Sequence, residues 1–358
     1  MSKVVVLGGG VSGLTTALTL VNKFKNEINE LTVVSSEFPG DYHAHDYTSP
    51  WAGANWASFA KGNEPEQIKR DSLTYKKFME LADTEPSSGI KKFPLKYFIR
   101  KNDMIPWYIE GKFVRDIEYL SDDELITRNL NPEEYIGIQF TTVTVTPIIY
   151  NNYLIGLLKK SGVIIKRIPR INDIEDIIDV LGYKPDLLIN CSGLNAGRLL
   201  ENLDPEELSK VYPIKGQILQ VYQDLPFQMM IDKLPLSDHA LPDQFLNVFP
   251  RGEGGCIMGG IFRGNDWSDQ LIEGLSESII NVVKSHIPEF TSLSVYNTYT
   301  ALRPGRKGGV RLEDSNYDLL RHDGSLRVIH NYGIGGAGYQ SSIGSAEEVS
   351  SLAAKILK

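Results

Sequence analysis

The chain opens on four consecutive apolar residues, Val4-Val5-Val6-Leu7. A short unbroken run of this kind suits a strand buried on both faces of a parallel sheet. Leu14, Ala17, Leu18 and Val21 then recur at helical spacing. Leu31-Thr32-Val33-Val34 reads as a second buried strand, so the pattern predicts a β-α-β unit. Residues 38–60 show little periodicity and are rich in Gly, Pro and aromatic residues. Long irregular segments inside compact domains usually carry function. Residues 62–88 read as a charged helix, strongest from Pro65 to Met79, and residues 93–145 mix strands with polar loops. Ile149, Tyr153, Leu154, Leu157 and Leu158 predict a helix over 148–160. Val163-Ile164-Ile165 and Asp186-Leu187-Leu188-Ile189-Asn190 follow as strands.

Further on, residues 211–262 have strand composition with Pro/Gly turns, and 270–286 read as an amphipathic helix. Residues 296–312 read as a strand and a basic turn. Val328-Ile329-His330 is a last strand before a glycine cluster and a helix through Ser345–Leu357. This order predicts an α/β fold with a Rossmann-like dinucleotide domain assembled from residues 1–60, 148–205 and 300–358. An antiparallel, β-rich substrate domain, residues 61–147 and 206–299, is inserted between them.

Composition narrows the function. The 358 residues are 42% hydrophobic and 23% charged, with a net charge of −8. No clustered basic face for nucleic acid is expected. No run of about 18 apolar residues predicts a membrane span, and no signal peptide is expected. The two cysteines, Cys191 and Cys256, lie in apolar strand-like stretches and read as buried free thiols. They have no zinc spacing, and no metal site is expected.

Gly8-x-Gly10-x-x-Gly13 follows one predicted strand and opens a predicted helix, the context that gives this pattern meaning. Gly8 allows a tight turn, Gly10 lets the backbone approach a diphosphate, and Gly13 lets helix and strand pack closely. Val11 and Ser12 open the helix, whose N-terminus offers free N–H groups. A ribose-binding carboxylate often ends the second strand. Here Ser35 and Ser36 come first and Glu37 follows; Glu37 is the candidate, with Ser35 or Ser36 in its place as the alternative.

Val328-Ile329-His330-Asn331-Tyr332-Gly333-Ile334-Gly335-Gly336-Ala337-Gly338, running on to Gly344-Ser345-Ala346, closely resembles the signature of the D-amino-acid oxidase family of flavoproteins. Ser49-Pro50-Trp51-Ala52-Gly53-Ala54-Asn55-Trp56, Tyr212-Pro213-Ile214-Lys215-Gly216-Gln217 and Leu302-Arg303-Pro304-Gly305-Arg306 are similar to blocks of that family, in family order. The resemblance implies FAD as cofactor and a D-amino acid and O2 as partners. It implies hydride transfer from the substrate Cα to the flavin, giving a 2-oxo acid, ammonia and H2O2. Arg303 matches the arginine that clamps the substrate carboxylate, for which a planar guanidinium is suited. Gly336 matches the position whose carbonyl meets the substrate amine. Gly335, Gly338, Tyr339 and Gln340 match the segment touching the flavin ring, as do Ser192, Gly193, Ala52, Gly53 and Asn55. Ala44 and His45 fall in the diphosphate and ribityl loop. Phe262 matches an aromatic residue that closes the pocket. The family's Tyr-x-x-Pro tyrosine is replaced by Asn247, whose amide has a shorter reach.

Phe227, Met229 and Met230 are expected to line the side-chain end of the pocket, and Arg263 to point away from it, which favours neutral substrates. A D-aspartate oxidase, a glycine or sarcosine oxidase, and a flavoprotein with an impaired site are the alternatives. Homodimerisation is left open. Fungal members of the family are typically peroxisomal and end in a Ser-Lys-Leu-like tripeptide. Lys355-Ile356-Leu357-Lys358 does not match, so a cytosolic location is the alternative.

Overall fold

The N-terminal apolar run forms β1 (Ser2–Leu7), with Val4, Val5 and Val6 buried. In the computed structural model, which describes residues 2–238 and 240–357, β1 leads through the glycine loop into α1 (Val11–Lys23) and then β2 (Ile28–Ser35). α1 buries Leu14, Ala17 and Leu20 along one face, and β1 and β2 pair in parallel with Val4 opposite Leu31. α2 (Pro65–Thr84) carries a proline in its first turn, where the missing N–H has no helical partner to lose. Its buried face runs Asp71, Thr74, Tyr75, Phe78.

The chain then alternates between two sheets. β3 (Ile90–Arg100), β4 (Arg115–Tyr119) and β5 (Tyr135–Val145) begin the second sheet as an antiparallel set. The helix Pro147–Lys160, β6 (Ile164–Arg167) and β7 (Leu187–Asn190) return to the first. β8 (Val211–Val221), β9 (Gln228–Ile231), β10 (Gln244–Pro250), β11 (Cys256–Ile261), β12 (Arg263–Gly264) and β13 (Val295–Arg306) enlarge the second. β14 (Arg311–Asp318) and β15 (Ser325–Tyr332) complete the first. The six-stranded sheet has the order β14-β15-β7-β1-β2-β6, and is parallel except at the β14 edge. The nine-stranded sheet has the order β12-β8-β11-β10-β9-β3-β5-β4, with β13 also on β8.

Three expectations shift. The expected boundary near residue 300 moves to Arg306, because β13 is one continuous strand paired with β8 from Val295 to Arg306. The helix expected over 270–286 spans Leu275–His286; Gly274, with φ of 73°, caps its start in a conformation that favours glycine. The C-terminal helix spans Ser342–Ala353, so it both begins and ends a few residues early. Both cysteines are free and buried, and burial pushes each thiol up to about 12.

A charged cluster pins β13, β14 and β15 to the short helix Glu206–Lys210. Arg306 grips Glu207 with two bonds, at 2.8 and 2.9 Å, and Tyr332 donates to the same carboxylate at 2.8 Å. Burial alone would raise the Glu207 carboxyl. The bonds from Arg306 and Tyr332 and the charge of Arg311 outweigh it and hold the group at about 2. His330 sits beside this cluster, its Nε2 3.0 Å from the Tyr317 hydroxyl and its Nδ1 3.3 Å from Asn190 Nδ2. Burial and the charge of Arg311 push it down to about 3, so it is neutral and its role is packing. Glu207→Gln should lower stability by roughly 3–5 kcal/mol at neutral pH, because two arginines lose a buried partner. The carboxylate's contribution is complete above its ordinary 4.5 and fades as pH falls toward about 2. Thermal unfolding of wild type and variant should therefore converge as pH drops below 4.5.

Candidate active site

A cleft of about 1910 Å³, counting its open mouth, runs between the two sheets. At one end lies the glycine loop. Gly8 has φ of 128°, and a side-chain carbon there would sit 2.4 Å from the Cys191 carbonyl; one at Gly13 would sit 2.0 Å from the Gly8 carbonyl. These two glycines therefore let α1 start against β1 and β7. Gly10 caps α1 without a side-chain cap, and no acid lies in the first turn, so the positive helix end opens on the cleft. Val11 N–H donates to Ser49 Oγ at 3.0 Å. Gly8, Gly10, Val11 and Ser12 line the cleft, while Gly13 lies beneath, as a packing residue.

Past β2, Ser36 and Glu37 line the same end. The Ser36 hydroxyl donates to Glu37, whose other oxygen accepts from Arg170 at 2.8 Å. Arg170 also binds Asp46 at 2.6 Å. Sequence reasoning missed this arginine, because the stretch after β6 has no periodicity to flag it. Ala44 and His45 do not reach the cleft. His45 Nδ1 lies 3.0 Å from the Thr300 carbonyl and its own carbonyl accepts from Leu302 N–H, which ties this loop to β13.

The middle and far end are lined by Ala52, Gly53, Asn55, Ser192, Gly193, Gly335, Gly336, Gly338, Tyr339 and Gln340. Gly335 has φ of 60° and nothing within 4 Å of a side-chain carbon built on it, so its Cα faces the open cleft. Tyr339 anchors the glycine cluster, donating to the Ser49 carbonyl at 2.9 Å and accepting from Asn151 Nδ2 at 2.8 Å. Arg251 donates to the Ala52 carbonyl at 3.2 Å and so steadies the facing loop.

Arg303 lies at the far end. Its Nη1 donates to the Ile261 carbonyl at 3.2 Å, and its guanidinium stands 4.5 Å from the centre of the Phe262 ring. Among the described residues no carboxylate pairs with it, and burial pulls it down to about 10. It reaches Ile261 across Gly216: a side-chain carbon there would sit 2.6 Å from the guanidinium. Asn247 and Phe262 line this end too, with Phe59, Phe245 and Phe249. Phe245, Asn247 and Phe249 alternate along β10, so their side chains share one face. That alternation was the signal available for Phe245 and Phe249. Phe227, Met229 and Met230 do not line the cleft. Phe227 and Met229 pack in the core cluster with Val282 and Val283, and Met230 lies behind Asn55. Arg263 also lies outside the lining.

The residues present fit FAD. Three buried polar atoms of the cleft wall, Trp51 Nε1, Asn247 Oδ1 and Asn331 Oδ1, meet no protein partner. Groups of this kind need a hydrogen-bonding ligand or water. A diphosphate suits the helix end, a ribose suits Glu37, and a flat ring suits the glycine-lined wall between Gly193 and Gly335. Gly216→Ala should displace the Arg303 guanidinium. Binding of a simple carboxylate, read from the flavin absorbance, should weaken by up to about 100-fold with FAD content unchanged.

The FAD dependent oxidoreductase family model, DAO, matches residues 3–352. A D-amino-acid oxidase from Fusarium vanettenii is 31% identical, over 99% of this chain and 97% of its own length. A D-aspartate oxidase from Cryptococcus neoformans is 26% identical, over 98% and 96%. Among solved structures, glycine oxidase from Geobacillus kaustophilus superposes with a TM-score of 0.70 at 14% identity, covering 99% of this chain and 95% of that one.

Proposed function

The chain belongs to the FAD dependent oxidoreductase (DAO) family, and on that premise we propose that it oxidatively deaminates D-amino acids with uncharged side chains. The observation that carries this reading is the unpaired guanidinium of Arg303 at the ring end of the cleft. A half-buried cation without a carboxylate is costly, and a substrate carboxylate relieves it through two parallel bonds.

The bound flavin supplies the acceptor for a hydride from the substrate Cα, and O2 takes the electrons on to H2O2. The protein's share is placement. Arg303 holds the carboxylate, the Gly336 carbonyl faces the amino group, and Asn247 offers its unpartnered amide oxygen, an acceptor, beside them. Phe59, Phe245 and Phe262 line this end with apolar surface, Phe59 and Phe262 exposed at its mouth where a bound substrate would cover them. No side-chain base is required, because the reaction's demand is orientation of Cα against the ring.

The uncharged preference rests on the count of cations. Only Arg170 and Arg303 supply cations among the described residues lining the cleft, and Arg170 is spent on Glu37 and Asp46. A second carboxylate on the substrate would find no partner. The D-aspartate oxidase relative is the ground for the competing reading. Peroxide release with a panel of D-amino acids decides between them. D-Alanine and D-methionine should exceed D-aspartate in kcat/KM, and D-aspartate as the best substrate would reverse the assignment. Arg303→Ala should lose about 100-fold or more in kcat/KM, since two charge-assisted bonds go together. A yellow protein that oxidises no D-amino acid would instead point to an impaired site.

A further inference from the structure

Asp71 is a carboxylate buried on α2 among Thr74, Tyr75 and Phe78. All three side-chain donors it meets are neutral: Gln67 Nε2 at 2.8 Å, Ser58 Oγ at 2.6 Å and Gln340 Nε2 at 3.2 Å. The neighbouring cation, Arg70, is turned away into two bonds with Glu348 on the C-terminal helix, at 2.6 and 3.0 Å. On the helix Trp107–Glu110, Tyr108 is the other titratable group close by. No ion pair therefore explains the placement of this acid.

One of its three donors lines the cleft, and a second adjoins a residue that does. Gln340 lines the wall, and Ser58 precedes Phe59, whose ring lies 3.5 Å from a side-chain carbon built on Gly336. Asp71 thus joins the two segments that flank the Arg303 end. An ionised carboxylate only accepts hydrogen bonds, whereas a primary amide both donates and accepts. Ionised Asp71 takes the amide N–H of Gln340 and leaves its oxygen for the cleft. Once protonated, Asp71 can donate to that oxygen, and the amide is free to turn.

We propose, resting on the D-amino-acid reading above, that Asp71 is a positioning residue that holds the Gln340 amide oxygen as an acceptor toward the substrate amino group. Protonation of Asp71 releases that orientation, so the polarity of the group facing the ligand inverts. Burial raises the Asp71 carboxyl to about 6, against the lowering bonds from Ser58, Gln67 and Gln340 and the charge of Arg70. The switch therefore falls in an accessible pH range.

The test is the pH profile of kcat/KM for D-alanine on the FAD-loaded enzyme, which reports groups of the free enzyme. Wild type should show an acid limb near pH 6, with kcat/KM about 10-fold lower one unit below it. Asp71→Asn removes the titrating group and should be slower at pH 8 and lack that limb, with FAD content unchanged. Gln340→Leu keeps Asp71 and should lack it too, which carries the test if Asp71→Asn does not fold. Stability supplies a second readout. Because the folded carboxyl titrates above its ordinary 3.8, the native state binds the proton more tightly. The melting temperature of wild type relative to Asp71→Asn should rise as pH falls from 6 toward 4, while activity falls. A folded carboxyl titrating below its ordinary 3.8 would instead give a melting temperature that falls over that range, which contradicts the switch. Absence of the limb in wild type, or its survival in both variants, overturns the assignment of Asp71. Failure to oxidise any D-amino acid overturns the substrate reading as well.

Discussion

A guanidinium without a carboxylate organises the ring end of this molecule. Arg303 leaves β13, crosses β8 where Gly216 has no side chain, and reaches the Ile261 carbonyl on β11. Its position depends on register. β13 pairs with β8 along its full length, and β8 pairs with β11, so a slip of one residue would turn Arg303 to the opposite face. The aromatic wall follows from the same sheet: Phe245 packs on Phe262 with ring centres 4.9 Å apart, and Phe262 lies under the cation. Attraction of the cation to the ring supplies part of what a missing carboxylate would.

The other end of the cleft answers a different charge problem. Backbone N–H groups and the α1 dipole would meet a diphosphate without any lysine or arginine in the glycine loop. The two ends are held in one frame by Tyr339 and Ser49. Ser49 accepts from Val11 at the head of α1 with its hydroxyl and from Tyr339 with its carbonyl. The glycine loop, the Ser49–Asn55 loop and the C-terminal glycine cluster are thus mutually braced. The charged cluster around Glu207 fixes β15, from which that glycine cluster emerges.

Much of this was legible in the sequence because it rests on local chemistry. The apolar run of β1, the glycine spacing and the helical period of α1 each follow from one short segment, and Arg303 and Gly335–Gln340 were marked by the resemblance of their blocks. What was not legible arises from long-range pairing. Phe227, Met229 and Met230 read as pocket residues because they are apolar and adaptable, yet β9 lies between β10 and β3 and its side chains are taken up behind the cleft wall. His45 lies next to loop residues that line the cleft, but its bond to Thr300 turns it to β13. Asp71 reads as one more charge on a charged helix; only the fold shows that it is buried and bonded to Gln340, 269 residues away in sequence.

On the proposed function, the Arg303 guanidinium is completed by a carboxylate of the substrate. The most direct measurement compares D-alanine with D-alaninamide, mixed anaerobically with the FAD-loaded protein, following loss of the oxidised flavin absorbance. The amide keeps the Cα hydrogen and the amino group and replaces the anionic oxygen with an uncharged NH2. Pairing of the guanidinium with the substrate predicts rapid bleaching by D-alanine and bleaching slower by about 100-fold or more with the amide, the loss expected when the charge goes unpaired. Equal rates for the two would contradict it.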